Sequence, residues 1–172
     1  MDKLKPKLTI IINGVGGAGK DTLCDYISTH FETINVSSIT PIKDIARNYG
    51  WDGEKDEVSR KFLADLKKTF IDFNDLPTEY LVDEYEKFID SSAEIFFAHI
   101  REAAEIDKFK ARVKIPCVTL LIRREENKSW GNCSDDDVEK YAYDYYFENV
   151  KALKETQKEF CALICKILSD KK

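Results

Sequence analysis

The run from Leu8 to Asn13 (LTIIIN) is almost wholly apolar and rich in isoleucine. Apolar positions on both faces, without alternation, predict a strand covered on both sides, as in a parallel sheet. Residues 34–37, 94–100, 116–122 and 143–147 read as four further strands. Between them the apolar positions recur every three or four residues, the spacing of a helix with one buried stripe. Leu23, Ile27 and Phe31 mark the first such helix. Ile42, Ile45 and Ala46 mark a second, with Pro41 suited to its first turn and Gly50 to its end. From about residue 50 to residue 92 the chain has no strand character. Phe62, Leu63, Leu66 and Phe70 mark one amphipathic helix there, and Leu81, Tyr85, Phe88 and Ile89 another, parted by residues 74–77. A helix over residues 101–110 follows, and Val150, Leu153, Phe160, Ile164 and Leu168 outline a terminal one.

Strand and helix thus alternate five times, which predicts an α/β fold: a five-stranded parallel sheet with helices on both faces and a helical insertion between strands two and three. No repeat, low-complexity tract or Pro/Gly linker divides the 172 residues, so a single domain over 1–172 is expected. Residues 123–137 are polar, with three consecutive aspartates, and read as a lid-like loop. Within it, Ser134 and Asp137 fit a helix-capping box ahead of Val138.

The net charge of -5, with acidic and basic residues interleaved, argues against a nucleic-acid surface. The first seven residues are too polar for a secretory signal, and no apolar run reaches membrane-spanning length. Five cysteines without C-x-x-C spacing suggest a reduced, cytoplasmic protein. Cys161 and Cys165, one helical turn apart, read as core packing rather than metal ligands.

Four of the seven glycines fall in Gly14-Val15-Gly16-Gly17-Ala18-Gly19, with Lys20 next. This is G-x-x-x-x-G-K at the end of a strand, the pattern that wraps backbone N–H groups around nucleotide phosphates and sets a lysine to reach the β- and γ-phosphates. The same letters also spell G-x-G-x-x-G. A dinucleotide site, however, wants a carboxylate at the end of the second strand, and Val36-Ser37-Ser38 offers none. A nucleoside triphosphate site is therefore expected at Gly14, Gly16, Gly17, Ala18, Gly19, Lys20, Asp21 and Thr22. Asp21 stands where such loops usually carry the Ser or Thr that meets magnesium. A carboxylate among phosphate oxygens implies a divalent cation between them, so Asp21 is the expected Mg2+ contact.

Asn127-Lys128-Ser129-Trp130 begins like the guanine-reading N-K-x-D but lacks its aspartate, which argues against a GTPase. A small-acceptor kinase fits better. Gly19-Lys20-Asp21-Thr22 resembles the G-K-D-T of deoxynucleoside monophosphate kinases, a branch of the nucleoside monophosphate kinase superfamily. Pro41-Ile42-Lys43-Asp44 resembles their P-[IL]-K-D. Ile100-Arg101 with Glu105-Ile106 resembles V-R-x-x-x-E-[IM], and the segment from Asp144 to Asn149 resembles D-x-x-I-x-N. The resemblance implies a P-loop kinase that uses ATP and Mg2+ to phosphorylate a (deoxy)nucleoside monophosphate or a similar small acceptor. Lys20 and Arg101 would be catalytic, and Lys43, Arg47, Arg60 and Arg101 would hold the acceptor. The family's magnesium-binding aspartate before the strand-three arginine has no counterpart in Phe97-Ala98-His99-Ile100. A nucleotide-binding regulator with little turnover, and a P-loop kinase for another metabolite, are the alternatives.

Overall fold

A computed structural model describes residues 6–124 and 137–171. Among them the strands are β1 (Leu8–Asn13), β2 (Thr33–Ser37), β3 (Ile95–His99), β4 (Cys117–Arg123) and β5 (Tyr145–Glu148). They form one sheet in the order β2-β3-β1-β4-β5, and every pairing is parallel. The helices are α1 (Lys20–Ile27), α2 (Thr40–Asn48), α3 (Glu57–Asn74), α4 (Leu76–Asp90), α5 (Ala103–Arg112) and α6 (Leu153–Asp170). A 3-10 turn covers Val138–Lys140. The expected parallel α/β sheet and the helical insertion between β2 and β3 are both present.

Successive side chains of a strand point to opposite faces, so β1 feeds two cores. Leu8, Ile10 and Ile12 join Leu23 and Ile27 of α1 and Phe160, Ile164 and Ile167 of α6 on one face. Ile11 joins Leu81, Tyr85 and Phe88 of α4 and Ile106 and Phe109 of α5 on the other. Burial of both faces explains why β1 is a continuous apolar run.

The boundaries depart from the sequence reading in ways packing explains. Helix α1 stops at Ile27, and Phe31 packs on the core from the turn that follows. β5 begins at Tyr145 rather than Tyr143, whose ring lies in the opposite core. Val150 precedes α6, and both it and Leu153 are more than half exposed. Cys165 is exposed and Cys161 only partly buried, because α6 turns Phe160, Ile164 and Ile167 inward instead. The apolar stripe of α3 is only partly covered: Phe62 is exposed, Leu63, Leu66 and Phe70 are half-buried, and Lys67 is the one buried residue of this 18-residue helix. The reason is position, since α3 packs against α2 and α4 rather than against the sheet.

Local sequence sets the ends of the insertion helices. Asp56 caps α3 by accepting a 2.7 Å hydrogen bond from the Ser59 N–H. Asp75 adopts a left-handed conformation (φ 52°) between α3 and α4, and Pro77 fits the first turn of α4. No helix among the described residues is long and apolar enough to cross a membrane.

Candidate active site

In an open parallel sheet, ligands collect beyond the carboxyl ends of the strands, where the connections diverge. β1 is central here, and Asn13 at its end leads directly into the glycine loop. Gly14 (φ 151°) must be glycine, because a Cβ there would lie 2.5 Å from the Ile122 carbonyl oxygen on the adjoining β4. Gly19 (φ 89°) precedes α1, and a Cβ would lie 2.5 Å from Asn149 Nδ2. At Gly16, by contrast, a Cβ would meet nothing within 4 Å, so the space outside the loop is open at that point. The Lys20 ammonium curls back over the loop and donates to the carbonyls of Gly14 (2.5 Å) and Val15 (3.2 Å). The loop thus curves around its own lysine at the N-terminus of α1, a geometry suited to an anion.

Two asparagines fix this loop from outside. The buried Asn13 accepts from the Gly14 N–H (2.8 Å) and donates through Nδ2 to the Arg101 carbonyl (2.9 Å) and the Tyr143 hydroxyl (2.8 Å). Tyr143 in turn donates to the Val138 carbonyl at 2.9 Å. Asn149, just past β5, donates to the Ala18 carbonyl at 2.8 Å. Asp144 accepts from the Thr119 N–H (2.8 Å) and hydroxyl (2.9 Å), which ties the start of the Asp144 to Asn149 segment to β4. The sequence reading quoted that segment only for its resemblance and missed Asn13, whose signal was an amide at the end of the strand entering the loop.

Asp21 projects from the first turn of α1 with its side chain 92% exposed. The His99 imidazole at the end of β3 approaches it, Nδ1 to Oδ1, at 3.8 Å. Burial holds His99 below its ordinary pKa, with Asp21 opposing the shift and Lys20 adding to it. The ring is therefore neutral at neutral pH. No three His, Cys, Asp or Glu side chains among the described residues gather as a metal site. Asp21 is the carboxylate that the loop presents at its open side, one oxygen donor of the kind a hard cation such as magnesium takes.

A second group of charges lies beside the loop. Lys43, on α2, is about half-buried, and its pKa is lowered first by desolvation and then by Arg47, Lys55 and Arg101, while Asp21 opposes them. Lys43, Arg47 and Arg101 are therefore brought into one field, together with Lys55, which the sequence reading did not single out. Arg47 also pairs with Asp44 (3.2 Å) and lies over the Trp51 ring, 5.2 Å from its centroid. Arg60 lies in the first turn of α3, where its charge acts on the Asp56 cap. At the other side of the sheet, Arg123 pairs with Glu139 (2.7 Å) and Glu148 (3.4 Å). The lid-like residues 125–136, including Lys128, Trp130 and Ser134, lie outside the described residues. Burial pushes the Cys24 thiol up strongly and the partly buried Cys117 thiol up to about 12.

No protein-family model matches the chain, and no curated protein matches its sequence. Solved structures do match. A candidate kinase from Chloroflexus aurantiacus superposes with a TM-score of 0.58 at 9% identity, over 98% of this chain and 99% of that one. The Thermus thermophilus protein TT1252 superposes with a TM-score of 0.53 at 14% identity, over 94% and 98%. A sugar kinase from Janibacter sp. HTCC2649 gives 0.51 at 10% identity, over 95% of each chain. Together with the parallel sheet and the glycine loop, these likenesses show an α/β protein of the P-loop NTPase fold.

Proposed function

We propose that the protein is an ATP- and magnesium-dependent kinase that transfers the γ-phosphoryl group to a small phosphorylated acceptor, a (deoxy)nucleoside monophosphate in the first instance. The observation that carries this reading is the pairing of two cationic features: the loop around Lys20, and Lys43, a half-buried ammonium that feels Arg47, Lys55 and Arg101 as well as Asp21. A loop alone would serve any nucleotide hydrolase. A second cationic region beside it gives an acceptor phosphate somewhere to bind.

In this reading the amides of Gly14, Gly16, Gly17, Ala18 and Gly19 line the triphosphate, with Asp21 and Thr22 at its metal-facing side. Lys20 turns from the loop carbonyls to the β- and γ-phosphates. Magnesium, when bound, neutralises phosphate charge. Arg101, Lys43, Arg47 and Arg60 orient the acceptor, Arg101 by the paired hydrogen bonds a guanidinium makes to phosphate. An acceptor phosphate oxygen attacks the γ-phosphorus, the bond to the β–γ bridging oxygen breaks, and ADP leaves with that electron pair. The attacking oxygen is already anionic, so no general base is needed and catalysis rests on positioning and charge. This accounts for a neutral His99 at the end of β3 without a proton-transfer role. The reaction suits a reducing cytoplasm, where unpaired thiols persist.

ADP formation, measured with and without AMP, GMP, CMP and dTMP, tests the reading. Turnover stimulated by a monophosphate is expected, and ATP binding without stimulated turnover overturns it. That second outcome would favour a nucleotide-binding regulator, for which the observation is His99 in place of a carboxylate. Asp21→Asn should weaken the magnesium dependence of ATP binding in calorimetric titrations. An unchanged dependence would return Asp21 to the helix N-terminus as a structural residue.

A further inference from the structure

Lys67 is 7% exposed, and it is the residue that α3 buries most completely. Its ammonium lies 2.6 Å from Glu102 Oε2 and 2.9 Å from Glu105 Oε2, on the turn after β3 and the first turn of α5. Glu105 is itself 4% exposed, and its Oε1 is buried without a hydrogen-bond partner. Desolvating these charges is costly, and well-packed apolar side chains in such places are often as stabilising or more so. Stability therefore does not explain why a helix with phenylalanine on its exposed side buries a lysine. Position does. Glu102 directly follows Arg101, and the Arg101 carbonyl is held by Asn13, whose Oδ1 holds the first amide of the glycine loop. Lys67 thus stands at one end of a continuous path, through Glu102, Arg101 and Asn13, to Gly14.

We propose that Lys67 is a positioning residue: it ties the helical insertion to the turn that carries Arg101, so that the acceptor side and the phosphate loop keep a common register. The proposal rests on the kinase reading in so far as Arg101 faces an acceptor. Two carboxylates and one ammonium share the site, Lys67 from α3 and Glu102 and Glu105 from the turn and α5. Burial pushes Glu105 up to about 7, against the pull of Lys67. Burial also works to raise Glu102, but the Lys67 ammonium and its hydrogen bond outweigh it and leave Glu102 below its ordinary value. Glu102 is thus the ionised partner through which Lys67 acts on the Arg101 turn.

The test compares Lys67→Met/Glu105→Gln, which leaves no two carboxylates facing each other, with Lys67→Arg, each with and without Arg101→Lys. ATP affinity is read by calorimetry, and kcat and KM with AMP, GMP, CMP and dTMP. The Met/Gln variant should raise the acceptor KM about tenfold with ATP affinity unchanged. Lys67→Arg should restore most of the loss. Arg101→Lys should add little in the Met/Gln background, because residues acting as one unit are not additive. A full additive effect of Arg101→Lys, or equal losses for ATP and acceptor that follow the melting temperature, overturns the proposal and leaves a structural ion cluster. If the native protein turns over none of these monophosphates, the kinase reading falls by itself. Amide exchange with and without Mg-ATP then decides the link: protection spreading from the loop to α3 in the native protein but not in the Met/Gln variant supports it. An equal spread in both, or none in the native protein, overturns it.

Discussion

The phosphate loop and helix α3 solve opposite problems. The loop is a short irregular segment, yet Asn13, Asn149 and the Ile122 carbonyl fix both of its ends, and two of its glycines leave no room for a methyl group. Helix α3 is a long regular element with a capped N-terminus, but it lies on other helices, exposes Phe73 by 79% and buries only Lys67. Regular secondary structure is thus not where this molecule is most constrained. Tight hydrogen-bonded packing holds the part that, in the proposed function, presents fixed dipoles to an anion, where preorganisation has its value. Loose packing is found in the part that would have to close over a second substrate, as expected of elements with low local stability.

The largest expected effect separates chemistry from fold at the loop. Lys20→Ala should unfold at nearly the native temperature while phosphotransfer falls on the order of 10²–10³-fold, the cost of removing a preorganised charge from a transition state. Wild-type turnover and ATP affinity in this variant would remove the loop from the mechanism.

A comparable effect belongs to the contact of α3 with α5. Glu105 keeps its proton up to about pH 7 in the folded protein, whereas an unfolded glutamic acid loses it near 4.5. The folded state therefore binds more protons between those values. Its stability should fall as pH rises from about 4.5 to about 7 and level off above, by at most about 3 kcal/mol. Denaturant titrations across that range should show the slope flattened in Glu105→Gln, with Lys67 and Glu102 still in place. An identical slope in both proteins would mean that the group titrates normally.

Within the loop, the glycines should not be equivalent. Gly19→Ala forces a Cβ onto Asn149 at an unfavourable φ and should cost about 1–3 kcal/mol. Gly16→Ala meets nothing and should leave the melting temperature nearly unchanged, so any effect it has should appear in ATP affinity alone. Equal melting temperatures for the two variants would contradict the tight end described here. The smallest effect belongs to α3: Phe73→Ser should change stability by less than about 0.5 kcal/mol, because the ring is already in solvent. A larger loss in a denaturant titration would mean that the α3 face is covered in solution.

Much of this architecture was legible in the chain because its signals are local. A short continuous apolar run suits a strand covered on both faces, as in a parallel sheet, and G-x-x-x-x-G-K requires backbone angles and approaches that glycine alone permits; both constraints are written within a few residues. The break at Asp75 to Pro77 and the Pro41 helix start are local in the same way. What sequence could not state is which stripes find a partner. Phe62 and Leu66 carry the periodicity of a core face, as Leu81 and Tyr85 do, yet only the second pair is buried, because α4 lies on the sheet and α3 lies on α4. The site divides likewise. Lys20 and Asp21 are singled out by the motif, whereas the influence of Arg101 on Lys43 and the burial of Lys67 against Glu102 and Glu105 join residues far apart in the chain. Charges interact through space and not along the chain, so a lysine in a helical stripe reads as solvated surface until the fold brings two carboxylates to it.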